Sequence, residues 1–185
     1  MAKKQKIRRR KWNAIYDRFK NHPYIICAEV GVHQGENSKN ILKLLKKIEK
    51  FCLIDMWSPN TYDGKGHESA KDKYIKLYQD ECEQNYNKTL LNISPYKNKV
   101  EIIKGDSALS AENFSDGYFD FVFIDADHSY EGCLADIKAW FPKVKKGGYI
   151  CGHDYPRYDG VVRAVNEIFG SDIELDSDYT WFYRV

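Results

Sequence analysis

The 185-residue chain is 43% hydrophobic and 30% charged, with a formal net charge of +2. These values are ordinary for a single soluble globular domain with a substantial core. They exclude a membrane-spanning protein, because no stretch approaches the roughly 20 apolar residues that a transmembrane helix needs. No apolar segment follows the basic N-terminus as it would in a secretory signal.

Positive charge is concentrated in residues 1–11, which hold seven lysines and arginines and no acidic residue. We interpret residues 1–11 as a disordered basic tail and residues 12–185 as one domain with a net charge of −5. The alternative is an arm that contacts nucleic acid, which we consider less favoured. The five cysteines form no C-x-x-C pair, and Cys27, Cys52 and Cys151 lie in apolar runs. This pattern favours a reducing cytoplasm over a disulfide framework.

Apolar runs alternate with helical repeats along the chain, which predicts parallel β–α–β units. Segment 57–90 is predicted to be an insertion, with a loop that serves as a lid and a helix after it. The other predicted elements are, in order, a strand over 24–30, a helix through 41–48, strands over 51–56, 100–104 and 118–124, a helix over 129–141, a strand over 149–152, a helix over 161–169 and an antiparallel hairpin of 173–175 with 180–185.

A glycine loop follows the first predicted strand, with Gly31 and Gly35 between that strand and a helix. A dinucleotide fingerprint would also need glycines at the positions of His33 and Glu36. The acids at the strand tip, Glu29, and at the helix entrance would repel a pyrophosphate. The loop therefore favours a ligand that carries cationic groups.

All five predicted parallel strands end at or near an acidic residue, namely Glu29, Asp55, Asp106, Asp125 and Asp154. In open α/β sheets the ligand lies at these carboxyl ends. Asp55 stands about where nucleotide folds place the acid that binds the ribose hydroxyls, the alternative being a solvated loop acid. Asp106 and Ser107, which follow the third strand, are both candidates for the N-cap of a helix.

Three sequence patterns together resemble a known family. They are E-x-G-x-x-x-G at 29–35, D-x-D-H-S-Y-E-G at 125–132 and H-D-Y at 153–155. The chain resembles class I S-adenosylmethionine-dependent methyltransferases over about 24–169, in particular the small O-methyltransferases of the macrocin and catechol types. The resemblance implies an α/β, Rossmann-like fold with a mostly parallel seven-stranded sheet, a C-terminal antiparallel hairpin and helices on both faces.

The resemblance also implies roles for individual residues. Asp125, His153 and Asp154 match the positions that hold a divalent cation, magnesium or manganese, and His128 matches the catalytic base beside Asp125. Asp106 and Ser107 match the position that contacts adenine. The implied contacts of S-adenosylmethionine are Glu29, Gly31, Gly35, Ser38, Asp55, Met56, Asp106, Ser107 and Asp125.

Two of these positions have alternatives. His153 replaces the carboxylate of the catechol-type enzymes, which suits manganese, iron or zinc better than magnesium, or else it faces the substrate. His128 is alternatively a residue at a helix start packed under Tyr130. The neighbouring Asp127 is expected to cap that helix.

The sequence therefore predicts an O-methyltransferase that acts on a small hydroxylated acceptor, with a homodimer as one arrangement. The absence of an N-P-P-Y tetrad after the fourth strand disfavours base amines as acceptors. Alternatives are a non-catalytic module that binds S-adenosylmethionine, a nucleic-acid methyltransferase that uses the basic segment, and a nicotinamide-dependent oxidoreductase, which the acidic loop disfavours.

Overall fold

The computed structural model describes residues 9–58 and 71–185, and the side chains of the long third helix from residue 79 onward. Residues 1–8 of the predicted tail and residues 59–70 of the predicted lid lie outside the described residues. The elements are α1 (Lys11–Phe19), β1 (Ile25–Val30), α2 (Glu36–Leu44), β2 (Ile48–Asp55), α3 (Lys71–Ile93), β3 (Val100–Lys104), α4 (Ser107–Ser110), β4 (Phe119–Ile124), α5 (Tyr130–Trp140), β5 (Val144–Gly152), α6 (Asp159–Phe169), β6 (Glu174–Leu175) and β7 (Trp181–Arg184).

The strands form one seven-stranded sheet in the order β3-β2-β1-β4-β5-β7-β6. Strands β1 to β5 are parallel, while β7 lies antiparallel between β5 and β6. The predicted sheet and its C-terminal hairpin are therefore confirmed. The chain order reverses between β1 and β4, and in open α/β sheets such a switch point marks the ligand crevice.

Helices cover both faces of the sheet. Successive strand residues point to opposite sides, so apolar residues on both sides of a strand pack against helices. On β1, Cys27 packs toward α1, α2 and α3, whereas Ala28 and Val30 pack toward α5 and α6. Both cores are built from apolar side chains, and the polar groups lie at the carboxyl ends of the strands. The largest fully buried side chains are Trp140, Trp181, Phe19, Phe51, Phe119, Phe121, Phe123 and Phe182.

The two largest differences between predicted and observed boundaries lie at the end of the second helix and the start of the fifth strand. The predicted second helix extends to Ile48, but α2 ends at Leu44, since Leu45 leaves helical geometry and Ile48 is buried as the first residue of β2. Strand β5 begins at Val144, because the predicted turn at Gly147 is a bulge within the strand, where its register with β4 shifts.

The sequence did not predict α1. Trp12, Ile15, Tyr16 and Phe19 have the i, i+3, i+4, i+7 spacing of an amphipathic helix, and Ile15 and Phe19 are buried against the sheet. Lys11, which we assigned to the disordered tail, is the first residue of this helix. The helix forms because its apolar face completes the core.

Among the described residues, no helix is both long enough and apolar enough to cross a membrane. All five cysteines are free. Four of them are buried, and only Cys82, on α3, is partly exposed.

Candidate active site

A cleft of about 480 Å³ opens at the carboxyl ends of β1, β4 and β5, next to the switch point. It is lined by Arg10, Lys11, Trp12, Glu29, Gly31, Val32, His33, Gln34, Glu36, Asn37, Asp125, His153, Arg157, Asp178 and Tyr179. A second cavity of about 500 Å³ lies at the amino ends of β2 and β3 and contains none of the predicted site residues. We take the first cleft as the site, because the predicted chemistry converges there.

The glycine loop (residues 31–35) needs its two glycines for different reasons. Gly31 has φ +87°, and a Cβ there would lie 2.2 Å from the carbonyl oxygen of Asp125. Gly35 has φ +71° and would place a Cβ 3.0 Å from the Thr89 side chain on α3. The loop is thus pressed against the tip of β4 on one side and against α3 on the other.

Glu29 is 1% exposed and joins β1 to the start of α2. Its carboxyl group accepts hydrogen bonds from Ser38 Oγ and, at 3.0 Å, from Asn37 Nδ2. Burial raises the pKa of Glu29 to about 7. Ser38 is fully buried and its hydrogen bond positions the Glu29 carboxyl, while its contact with S-adenosylmethionine stays a prediction. Asn37 Oδ1 is buried with no partner.

Asp55 fixes the glycine loop to the end of β2. Its Oδ2 accepts the backbone N–H groups of Val32 (2.8 Å) and His33 (2.7 Å), and its Oδ1 accepts that of Trp57 (2.9 Å). Met56, the other predicted contact here, follows Asp55 and is half-buried. These three hydrogen bonds leave the Asp55 carboxylate little capacity to accept another, so a contact with ribose stays a prediction.

At the end of β3, Asp106 is the N-cap of α4 and accepts the backbone N–H of Leu109 at 2.9 Å. Ser107 donates its hydroxyl to Asp136 on α5. Asp136 is 2% exposed, and burial raises its pKa to about 7. The predicted capping role of Asp106 is confirmed, while the adenine contact of both residues stays a prediction.

The ends of β4 and β5 bring together the acidic–imidazole cluster, which we define as Asp125, His128, His153 and Asp154. His128 Nε2 lies 2.9 Å from Asp154 Oδ2 and 3.9 Å from Asp125 Oδ1. His153 Nδ1 lies 3.3 Å from Asp154 Oδ2 and 3.6 Å from Asp125 Oδ1. Tyr158 stacks on the His128 ring at 4.4 Å. All four predicted catalytic and metal residues therefore meet in one place.

Two atoms of this cluster are buried without a hydrogen-bond partner, namely His153 Nε2 and Asp154 Oδ1. Buried polar atoms are rarely left in this state unless a ligand or ion completes them. Ligand atoms of Asp125, His128 and Asp154 lie within 4.8 Å of one another. These residues fit a divalent cation. The group with mutually close ligand atoms contains His128, whereas the predicted ligand set contains His153.

The cluster is ionised in this arrangement. Burial alone would raise the pKa values of Asp125 and Asp154, but the interactions with His128 and His153 hold both far below their ordinary range. Conversely, the two carboxylates raise the pKa of His128 to about 9 and, against the effect of burial, that of His153 to about 9. His128 can act as a base only when another positive charge replaces its own beside these carboxylates.

The N-cap of α5 is Ser129, which accepts the backbone N–H of Gly132 at 3.1 Å. Asp127 was expected to cap this helix. It instead accepts the N–H of Ser129 at 2.7 Å, one step before the helix begins. The short Ser129 side chain reaches the first turn more directly, which leaves Asp127 to tighten the loop that carries His128.

Sequence reasoning missed the residues that approach the cleft from outside the parallel strands. Lys11, on α1, donates its ammonium to Asp125. Arg157, after β5, lies 3.7 Å from Asp154, and Tyr179 packs edge-on to His153 at 6.4 Å. The apolar spacing of α1 could have revealed that helix, but nothing local signals a lysine that contacts a carboxylate 114 positions away.

Comparisons with known proteins agree with this geometry. A family model described as a methyltransferase domain matches residues 28–155, more than half of the chain. A 52-residue stretch is 42% identical to an uncharacterized protein of Acanthamoeba polyphaga mimivirus, and this match spans 24% of that protein.

Solved structures share the fold at low identity. The O-methyltransferase NovP has a TM-score of 0.64 and 17% identity, over 94% of this chain and 76% of that one. CalS11, a TDP-rhamnose 3'-O-methyltransferase, has a TM-score of 0.56 and 14% identity over the same shares. The precorrin 8W decarboxylase of Methanobacterium thermoautotrophicum has a TM-score of 0.59 and 12% identity, over 92% and 86%. The family match and the shared fold show that this chain belongs to the methyltransferase-domain family, with the Rossmann-like fold of class I methyltransferases.

Proposed function

We propose that this chain transfers the methyl group of S-adenosylmethionine to a hydroxyl of a small acceptor, assisted by a divalent cation. The observation that carries the proposal is the acidic–imidazole cluster, which adjoins the same cleft as the glycine loop. Family membership supports methyl transfer in general. The choice of an oxygen acceptor rests on the chemistry of the cluster.

The glycine-loop end of the cleft suits a cationic donor. Asn37 Oδ1 is a buried acceptor with no partner, and it lies in the cleft beside the carboxyl group of Glu29. The ammonium group of S-adenosylmethionine would supply the missing hydrogen bond. A pyrophosphate would leave Asn37 Oδ1 unsatisfied and would meet Glu29 and Glu36 with like charge.

The cluster end of the cleft suits activation of a hydroxyl group. Asp125, His153 and Asp154 would hold the divalent cation, which would supply Lewis acidity and so lower the pKa of a bound hydroxyl. His128, stacked on Tyr158, is the residue placed to take the proton. The protein's further contribution is to hold the hydroxyl in line with the methyl group.

The acceptor pocket is expected between α1 and the β6–β7 turn, where Trp12 and Tyr179 line the cleft with Arg157. Aromatic walls beside cationic side chains suit a flat or sugar-like molecule that carries hydroxyls. CalS11, which shares the fold, is named for methylating an oxygen of TDP-rhamnose. That likeness supports a sugar-type hydroxyl as one class of acceptor.

A product screen tests the proposal. Phenols, sugars and nucleosides are incubated with the protein and S-adenosylmethionine, with and without Mn²⁺ or Mg²⁺, and mass spectrometry detects the gain of one CH₂. We expect a hydroxylated product whose formation depends on the cation and is lost in His128→Ala. Methylation of a base nitrogen, or no product in any class, would count against the proposal.

Two alternatives make different predictions. A non-catalytic binding module would keep its affinity for S-adenosylhomocysteine and give no product with any acceptor. A nicotinamide-dependent enzyme would be stabilised by NAD instead, which a thermal-shift titration distinguishes. Within the described part of the basic segment, Arg9 and Lys11 are paired with acidic residues of the domain itself, so these two residues do not support the nucleic-acid alternative. A homodimer stays a prediction.

A further inference from the structure

Lys11 brings an ammonium group from α1 to the edge of the acidic–imidazole cluster. Its Nζ donates to Asp125 Oδ2 and lies 5.8 Å from the centre of the Phe123 ring, with the side chain 21% exposed. The other oxygen of Asp125, Oδ1, faces His128 and His153. One carboxylate is thus shared between a lysine of the first helix and the two imidazoles.

The position of Lys11 follows from the way α1 is attached. The backbone N–H of Lys11 donates to Asp178 Oδ2 at 3.2 Å, in the turn between β6 and β7. Further along α1, the largely buried Arg18 contacts Asp176 at 2.9 Å and Glu174 at 3.0 Å. The helix is therefore held to the hairpin along its length, and this attachment directs the ammonium toward Asp125.

We propose that Lys11 is a positioning residue that competes with a divalent cation for Asp125. The inference rests on the cation-assisted form of the proposed function. In the absence of a divalent cation, the ammonium compensates the buried charge of Asp125. A cation that binds the cluster has to displace that ammonium or bind against its repulsion. Because such coupling is reciprocal, cation binding loosens the contact between α1 and the cluster.

Calorimetric titration of the full chain with Mn²⁺ tests this competition. Lys11→Met removes the charge and keeps a good helix former at the start of α1, so Mn²⁺ should bind about tenfold more tightly than to the wild type. Lys11→Gln, a second neutral variant, should show the same gain. Lys20→Met is the matched control, because Lys20 is exposed at the other end of α1, where it pairs with Asp17 and lies over the Tyr16 ring, so this variant should bind Mn²⁺ with wild-type affinity.

Hydrogen exchange supplies a second measurement that does not depend on turnover. In the wild type, Mn²⁺ should increase the exchange of the α1 amides, because the Lys11 contact is released. In Lys11→Met, exchange should already be high without Mn²⁺ and should not rise further.

Equal or weaker Mn²⁺ binding in Lys11→Met and Lys11→Gln would overturn the inference, as would a wild-type α1 whose exchange ignores Mn²⁺. If no variant binds Mn²⁺, the inference also fails. Titration of the same samples with S-adenosylhomocysteine separates these failures from that of the proposed function. Binding of S-adenosylhomocysteine with unchanged Mn²⁺ affinity refutes only the role of Lys11, whereas no binding of S-adenosylhomocysteine refutes the proposed methyl transfer.

Discussion

The carboxyl ends of β1 and β2 differ from those of β4 and β5 in how their polar groups are satisfied. Asp55 accepts three backbone N–H groups, and Glu29 accepts two side-chain donors. At β4 and β5, by contrast, Asp154 Oδ1 and His153 Nε2 have no hydrogen-bond partner. Groups that the protein satisfies by itself shape the cleft, whereas groups left unsatisfied are the ones prepared for a ligand.

The same contrast extends to protonation. Burial without a cationic partner in contact raises the pKa values of Glu29 and Asp136 to about 7. At the cluster, the imidazoles hold the pKa values of Asp125 and Asp154 low despite burial. The protonation of a buried carboxyl group therefore depends on whether a cationic side chain lies beside it.

Asp154→Asn tests the polar groups at the carboxyl ends of β4 and β5, and it has the largest expected effect. Asn tolerates the left-handed backbone of this position, φ +65°, so the fold should persist. The lost charge should lower kcat/KM by about 10³-fold, measured with an acceptor from the product screen. Asp127→Asn is the control, since the Asp127 carboxylate accepts the backbone N–H of Ser129, a bond that Asn can keep. Equal losses in both variants would contradict a special role for Asp154.

Gly31→Ala tests the contact between the two sides. A Cβ would overlap the carbonyl oxygen of Asp125 at an already positive φ, so the free energy of unfolding should fall by about 4 kcal/mol in urea denaturation. Gly117→Ala has a similar φ, +63°, but nothing within 4 Å of the new Cβ, and should cost only about 1 kcal/mol. Similar costs would show that the close approach does not matter.

Buried Asp136 makes the stability of the fold depend on pH, and Asp136→Asn should remove the part of this dependence that Asp136 contributes. The folded state keeps the proton of Asp136 up to about pH 7, whereas the unfolded chain releases it near 3.8. The folded state therefore binds more protons in this window, and its stability falls as pH rises. Asp136 should account for a loss of about 2 to 3 kcal/mol between pH 5 and 8, measured by urea unfolding.

Asp116→Asn is the control for that measurement, because Asp116 is exposed and paired with Lys143 at the surface. It should keep the wild-type dependence of stability on pH. If Asp136→Asn did not reduce the wild-type dependence at all, Asp136 would be ionised in the folded state.

Asp55→Asn has the smallest expected effect and asks whether the glycine loop depends on a carboxylate. Asn has one acceptor oxygen, so at least one of the three backbone N–H groups loses its partner, at a cost of about 2 kcal/mol. Thermal unfolding and the affinity for S-adenosylhomocysteine should both decrease. Asp106→Asn keeps a good N-cap for α4 and should change stability by less than about 0.5 kcal/mol, and an equal loss there would contradict this account.

Local signals were sufficient for most of the sheet. The apolar run at Val100–Lys104 was predicted with its observed bounds, since it is short and flanked by polar turns. The start of β5 was not predicted, because Gly147 and Gly148 look like a turn in sequence but form a bulge that only the partner strand β4 makes visible. Boundaries set by pairing between distant strands are beyond a local pattern.

The site residues on the parallel strands were likewise predictable from local patterns, and those brought in by distant segments were not. Asp125 and Asp154 were predicted to converge because parallel strands bring their carboxyl ends to one edge. Lys11 was not predicted, because its contact with Asp125 depends on how α1 attaches to the β6–β7 turn. Nor does sequence reveal that His128 lies closer to Asp154 than to Asp125, since this depends on the stacking of Tyr158.

Cys82, the one cysteine that is partly exposed, is a site where a dye could report on the glycine-loop end of the cleft. The other four cysteines are buried, and burial raises their thiol pKa values, so a maleimide dye should attach selectively to α3. One helical turn further along, Tyr86 packs against Trp57, whose indole N–H donates to the carbonyl of His33. A fluorophore on the native chain would therefore sense movement of the glycine loop without any engineered cysteine.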